Sequence, residues 1–146
     1  RVPSLRPDAV RYLAIDIGAR RTGFALGDVE LGLVQPLRVV EHPNENAMLE
    51  AVDNAIAEQE PDALVIGLPL NMDDTEGPAA KSARRIGELL HERSGLEVHL
   101  QDERLTSFEA DARMARSGRT HQEKKRVRDA IAAAALLEDF LASREN

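Results

Sequence analysis

Asp16, the pair Asp102-Glu103, and Asp129 are the acidic residues whose placement could support chemistry. Asp16 lies inside the apolar run Tyr12 to Ile17, near its end. A carboxylate in such a run is seldom buried without a partner. Asp102-Glu103 closes another strand-like stretch and is followed by Arg104. At about 100° per residue, Asp129, Ala133, Leu136 and Phe140 share one stripe of the last helical segment. Carboxylates that converge on one spot repel each other. Either some take up protons at neutral pH, or a cation neutralises them. Oxygen-only ligands select hard ions such as Mg²⁺ or Mn²⁺. Two such ions about 4 Å apart can activate a water and stabilise the leaving oxygen of a phosphodiester.

The same residues also fit plainer uses. Asp before Gly18 is ordinary turn chemistry. Asp102-Glu103-Arg104 also reads as a solvated strand end with a weak local ion pair, and an acid early in a helix suits the helix dipole. Spacing alone does not choose between Asp102 and Glu103. His42, His91, His99 and His121 show no ligand spacing and receive no role.

The elements that must position these acids follow from the pattern. Residues 1–10, with two prolines, read as an N-terminal arm, and 11–146 as a single domain. A strand from about Arg11 to Gly18, a tight turn, and a strand from about Thr22 to Asp28 make a hairpin. Val34 to Val40 is a third strand, and Pro36 favours an edge position. Asn46 to Gln59 is helical, with Leu49, Val52 and Ile56 at helical spacing. Ala63 to Leu68 is a short apolar run closed by Pro69, as in a buried parallel strand. Pro78 opens a helix expected to bury Ala79, Ala83, Ile86 and Leu90, and Gly95 caps it. Leu96 to Asp102 is the fifth strand. A helix follows from Ser107 to about Ser117, then a polar loop from Arg119 to Glu123, then a last helix from about Lys124 to Ser143. Alanines at 130 and 132–135 would let that helix approach closely. The alternation indicates an α/β domain. Ligands in such folds bind outside the carboxyl ends of the strands, where Asp16 and Asp102-Glu103 fall.

Composition narrows the function. Aromatic residues are only 3%, which disfavours base stacking on aromatic platforms. The absence of cysteine excludes disulfides, thiolate metal sites and a cysteine nucleophile. No apolar run approaches membrane-spanning length, so no membrane partner is expected. The N-terminus carries no signal-peptide core, and a cytoplasmic protein is expected. The net charge of -7 argues against a protein that coats nucleic acid indiscriminately. Yet Arg113, Arg116, Arg119, Lys124, Lys125, Arg126 and Arg128 cluster against Glu123 alone. Because exposed charges are screened beyond about 8 Å, such local clustering outweighs the total.

Four segments together resemble the YqgF (RuvX) family, the Holliday junction resolvase or pre-16S rRNA nuclease group of the ribonuclease H-like superfamily. They are Ala-Ile-Asp-Ile-Gly-Ala-Arg-Arg-Thr-Gly at 14–23, Val-Ile-Gly-Leu-Pro-Leu-Asn-Met-Asp-Asp-Thr-Glu-Gly-Pro at 65–78, Asp-Glu-Arg-Leu-Thr-Ser-Phe-Glu-Ala at 102–110, and Arg-Asp-Ala-Ile-Ala-Ala-Ala-Ala-Leu-Leu at 128–137. The resemblance covers nearly everything after residue 10. It implies a ribonuclease H-like fold, a five-stranded mixed sheet with strand 2 antiparallel, flanked by helices. It also implies that Asp16, Glu103 and Asp129 are the metal-binding acids, choosing Glu103 over Asp102. Asp74 stands where the family's Asn-Met-Asp-Gly-Thr loop has Gly; Asp tolerates a positive φ moderately well. Leu-Thr-Ser-Phe-Glu-Ala at 105–110 replaces the usual Leu-Ser-Thr-Val-Glu-Ala.

The leading expectation is therefore a two-metal-ion nuclease using Mg²⁺ or Mn²⁺. Its substrate would be RNA, branched DNA or both, with pre-16S rRNA 5′-end processing or junction resolution as its task. Arg20, Arg21, Asn71, Arg104, Lys124, Lys125 and Arg128 are expected to hold the nucleic acid, chiefly through its phosphates. The protein would act as a monomer or a homodimer; symmetric junction cutting requires two sites. Two alternatives stand beside this. Asp-x-Gly-x-x-x-x-Gly at 16–23 also resembles the phosphate-binding hairpin of actin-like ATPases and sugar kinases. The third reading is a non-catalytic nucleic-acid-binding module that kept the fold.

Overall fold

The computed structural model describes residues 10–103 and 121–144, with the backbone alone for 121–128. The hairpin strands are β1 (Arg11–Ile17) and β2 (Arg21–Asp28), followed by β3 (Leu33–Glu41), α1 (Glu45–Gln59), β4 (Ala63–Leu68), α2 (Pro78–Ser94), β5 (Glu97–Asp102) and α3 (His121–Arg144). The sheet order is β3-β2-β1-β4-β5, which puts β1 in the middle. Strand β2 runs antiparallel to both neighbours, whereas β1, β4 and β5 pair in parallel. This is the expected mixed sheet.

Parity along the strands assigns the faces. Leu13 and Ile15 of β1, Phe24 of β2 and Leu64 and Ile66 of β4 pack with Met48, Leu49 and Val52 of α1 and Ile86 and Leu90 of α2. Tyr12, Ala14, Ala25 and Val65 point the other way, against Ala133, Leu137 and Phe140 of α3. Every residue of β4 is buried, which explains its unbroken apolar sequence. Because side chains alternate along a strand, Asp16, Gly23 and Gly67 all belong to the α3 face.

Local chemistry fixes the element ends. Asn44 caps α1 by accepting from the Ala47 N–H at 2.9 Å. Glu60 (φ 48°) and Gly95 (φ 73°) take left-handed conformations at the carboxyl ends of α1 and α2. Pro36 lies on edge strand β3, next to a register shift between Phe24 and Ala25. Asp74 takes a φ of 69°, the positive value its place in the loop suggested.

Three details differ from the sequence expectations. The last helix includes His121-Gln122-Glu123, which fall inside the expected polar loop. In α2 Ile86 and Leu90 are buried as expected, but the buried alanine is Ala80 rather than the exposed Ala79, and Ala83 is only partly buried. Val10, assigned to the arm, is buried; its N–H bonds the Asp62 carboxylate and its carbonyl accepts from Val29. Residues 1–9 and the expected helix from Ser107 to Ser117 lie outside the described residues.

Candidate active site

Asp16 is the penultimate residue of the middle strand, directly opposite Gly23 on β2. It is half-buried, and its carboxyl is pushed up to about 6, first by burial and then by the negative charge of Asp129. Asp129 comes from α3, whose backbone passes against Gly23. A Cβ on Gly23 would lie 2.6 Å from the Asp129 carbonyl carbon and closer still to its oxygen. Glycine at this position therefore admits the helix and brings the two acids together. On the other side of β1, Glu103 follows β5 and folds back over Gly67, where a Cβ would collide with its carboxylate. Its backbone N–H reaches the Leu68 carbonyl at 3.3 Å. The Glu103 carboxyl is pushed up to about 7 by burial, then by Asp16, then by Asp102. The three acids thus form an electrostatic chain, Asp129 to Asp16 to Glu103, on one face of the sheet. Asp102 ends β5 beside it and acts on Glu103 as a further negative charge.

The turn between β1 and β2 contributes cations. Arg21 Nε lies 2.8 Å from Asp129 Oδ2. The contact is coulombic rather than an aligned hydrogen bond, and Oδ2 is buried without a hydrogen-bond partner among the described residues. Arg20 is exposed at the turn. Its carbonyl accepts from the His42 N–H at 2.9 Å, and the Gly18 N–H bonds the Arg21 carbonyl at 2.8 Å, closing the turn tightly.

Asn71 stands in the exposed loop after β4. Its side chain donates to the Thr75 hydroxyl at 3.0 Å and its backbone N–H to the Thr75 carbonyl, so it braces the loop that carries Met72 and Asp73. Lys124, Lys125 and Arg128 fall in the first turns of α3, where only the backbone is described, and Arg104 lies outside the described residues.

The donor set suits a hard cation in kind. It consists of oxygens alone, half-buried and mutually repelling, with one buried carboxylate oxygen that makes no hydrogen bond among the described residues. The side chains are not drawn into a closed shell: among the described residues, no three His, Asp or Glu groups are gathered tightly enough to enclose an ion. The Arg21 guanidinium supplies the positive charge beside Asp129.

One structural residue escaped the sequence reading. His42 is buried, and its Nε2 lies 2.8 Å from the fully buried Thr22 hydroxyl. The strand pairing that places Val40 opposite Thr22 brings them together. No local spacing signals this contact.

The model of the family described as "RuvX: Holliday junction resolvase" matches residues 10–143. The chain belongs to the RuvX family. Membership makes it a nuclease, a hydrolase of phosphodiester bonds, of a type generally dependent on divalent metal. Among curated RuvX relatives, a protein of Anaeromyxobacter sp. (strain Fw109-5) is 42% identical over 135 residues, covering 92% of this chain and 98% of that one. A protein of Azotobacter vinelandii is 42% identical over 132 residues, covering 90% and 93%. Both are named "Putative pre-16S rRNA nuclease". Solved structures that share the fold include Thermus thermophilus RuvC with a Holliday junction substrate (TM-score 0.56, 15% identity, 92% of this chain and 96% of that chain). Fowlpox virus resolvase with Holliday junction DNA gives a TM-score of 0.58 at 13% identity, covering 93% and 99%. No helix among the described residues of this RuvX chain is long and apolar enough to cross a membrane.

Proposed function

We propose that this chain is a divalent-metal-dependent endonuclease of structured nucleic acid, with Asp16, Glu103 and Asp129 as its catalytic acids. The observation that carries the reading is the coupling of these acids. They come from the middle strand, the end of β5 and α3, yet Asp16 feels Asp129 and Glu103 feels Asp16. Structural acids on a surface have no reason to be held together at such electrostatic cost.

Each residue then has a task. Asp16, flanked by the other two, would contribute to both ion positions, and Glu103 and Asp129 would each complete one. Bound there, Mg²⁺ or Mn²⁺ supplies an activated water and charge neutralisation at the leaving oxygen. Near neutral pH, Asp16 and Glu103 share their site partly as protonated acids, and they would release those protons to hold a cation. Arg21 would leave Asp129 for a substrate phosphate. Arg20 extends the same turn toward the strand, and Arg104, Lys124, Lys125 and Arg128 would hold the backbone on either side. Asn71 would keep its loop shaped for contact with the substrate.

Pre-16S rRNA is the first substrate to test, because relatives at 42% identity carry that name over nearly their whole length. Junction DNA comes second, because the neighbours solved with it are only 13–15% identical and speak for the fold. The experiment offers an rRNA precursor, a four-way junction and a plain duplex in parallel, with Mg²⁺ or Mn²⁺. Preferential metal-dependent cutting of the precursor is expected. No cutting of any substrate with either ion contradicts the proposal.

A further inference from the structure

A cleft of about 380 Å³ opens at the carboxyl ends of β1 and β4, between α1 and α2. Most of its wall comes from the α1 and α2 side of the sheet, and at the strand ends it reaches Gly67 and Glu103, which forms part of its wall. Ile17, Met48 and Ile86 give it aliphatic sides, and Ser82 and His42 give it polar ones. His42 is the telling residue. It is only 6% exposed, its Nε2 is committed to Thr22, and its Nδ1 is buried with no hydrogen-bond partner among the described residues. A buried ring nitrogen without a partner is costly unless something supplies one. The Thr22 hydroxyl can donate to Nε2 or accept from it, so Nδ1 can present either a lone pair or an N–H.

The volume sits at the small end of ligand pockets, with room for a single heterocycle and its sugar but not for a duplex. Aliphatic walls, an adaptable Met48 and the unpaired ring nitrogen of a lining histidine suit the faces and edge of a nucleobase. We propose that the cleft is a subsite for one unstacked nucleobase of the substrate strand. His42 Nδ1 hydrogen-bonds the base edge, and the neighbouring phosphodiester is thereby presented to the acids past Glu103. The inference rests on the nuclease reading. It adds a reason for the enzyme to choose places where a base is already unpaired, since such a base costs least to extrude.

The test uses the oligonucleotide that the wild-type protein cuts, carrying 2-aminopurine at successive positions around the cut. This base brightens when it leaves the stack. In complex with Asp16→Asn, which holds the strand without cutting it, one position beside the cut is expected to brighten. Adding Ser82→Leu, an exposed position on α2 that tolerates the change, fills the cleft and removes the signal. An abasic site at the same position lowers wild-type cleavage roughly tenfold and leaves Ser82→Leu unaffected. His42→Gln keeps a partner for Thr22 and deletes Nδ1, so it loses the same sensitivity; if it fails to fold, the Ser82→Leu arm decides. Wild-type cleavage with no bright position, or Ser82→Leu as sensitive to the abasic site as wild type, overturns the subsite and leaves the nuclease reading standing. Absence of any wild-type cleavage overturns both.

Discussion

The backbone of Asp129 lies so close to Gly23 that no side chain fits between them: a Cβ on Gly23 would stand 2.6 Å from the Asp129 carbonyl carbon and 3.2 Å from the Ala130 nitrogen. Gly23 is also the cross-strand partner of Asp16. One glycine therefore sets the separation of two of the three acids. Gly23→Ala must push α3 outward, because backbone cannot rotate aside as a side chain can. A loss of about 3 kcal/mol is expected, seen as a fall in melting temperature on the order of 8 °C. An unchanged denaturation midpoint would mean that α3 does not rest on β2 as described.

Gly67 makes the contrasting case. Its missing Cβ leaves room for the carboxylate end of Glu103, a flexible group that can swing away. Gly67→Ala should therefore cost less than about 1 kcal/mol of stability, yet lower cleavage by roughly 10²-fold because the acid is displaced. Equal losses of stability and activity at this position would show that Glu103 acts only as packing.

These two glycines mark where sequence reasoning stopped short. Strand β4 was legible to the residue, because a fully buried strand leaves an unbroken apolar run closed here by Pro69. Asp16 and Asp129 were legible because each interrupts or edges an apolar pattern. Glu103 was separable from Asp102 only through the family resemblance; the fold distinguishes them by Gly67, over which Glu103 lies. Glycine inside a strand is itself a signal of close approach, and Gly23 and Gly67 could have been read that way. His42 could not, since its meaning depends on the pairing of β2 with β3. The helical state of His121-Gln122-Glu123 was not legible because the triplet carries no apolar periodicity, and Ala79 and Ala80 are interchangeable in pattern, so the buried alanine of α2 was not legible either.

Proton linkage gives a third prediction. Asp16 and Glu103 hold their protons up to about 6 and about 7, against ordinary values of 3.8 and 4.5. The folded chain thus binds more protons than the unfolded chain across that interval. Without divalent cation, these groups' contribution is fully present below their unfolded values and is lost as pH rises through 6 and 7. The loss should be on the order of 2 kcal/mol after allowance for solvent screening. Glu45, Glu58 and Glu76, held low by arginine partners, act in the opposite sense only in more acidic solution. Melting curves from about pH 5 to about pH 7.5 should fall in the wild type and fall less steeply in Asp16→Asn, where burial still holds the Glu103 carboxyl up. Mn²⁺ should restore stability at the upper end, since a ligand confined to the folded state stabilises it. A flat wild-type profile contradicts the coupling of the acids.

Arg21 provides a fourth. It faces Asp129, where it would compete with a bound cation, and in the proposed mechanism it would meet phosphate once released. Arg21→Gln should tighten Mn²⁺ binding severalfold, measured by calorimetry, and weaken nucleic-acid binding. Each phosphate contact contributes a slope of roughly -0.9 to log K against log salt on duplex. The slope should therefore become shallower by about one contact in Arg21→Gln. Weaker metal binding in this variant would show that Arg21 supports the acid cluster rather than opposing a cation.

The proposed place of Asp16 in the middle of a metal-binding acid cluster is tested by single-turnover cleavage of the preferred substrate by wild type and Asp16→Asn, with binding measured on the same samples. A rate loss of roughly 10³-fold or more is expected, with affinity equal or higher, because a negative charge facing the phosphates is gone. Cleavage by Asp16→Asn at the wild-type rate would contradict it.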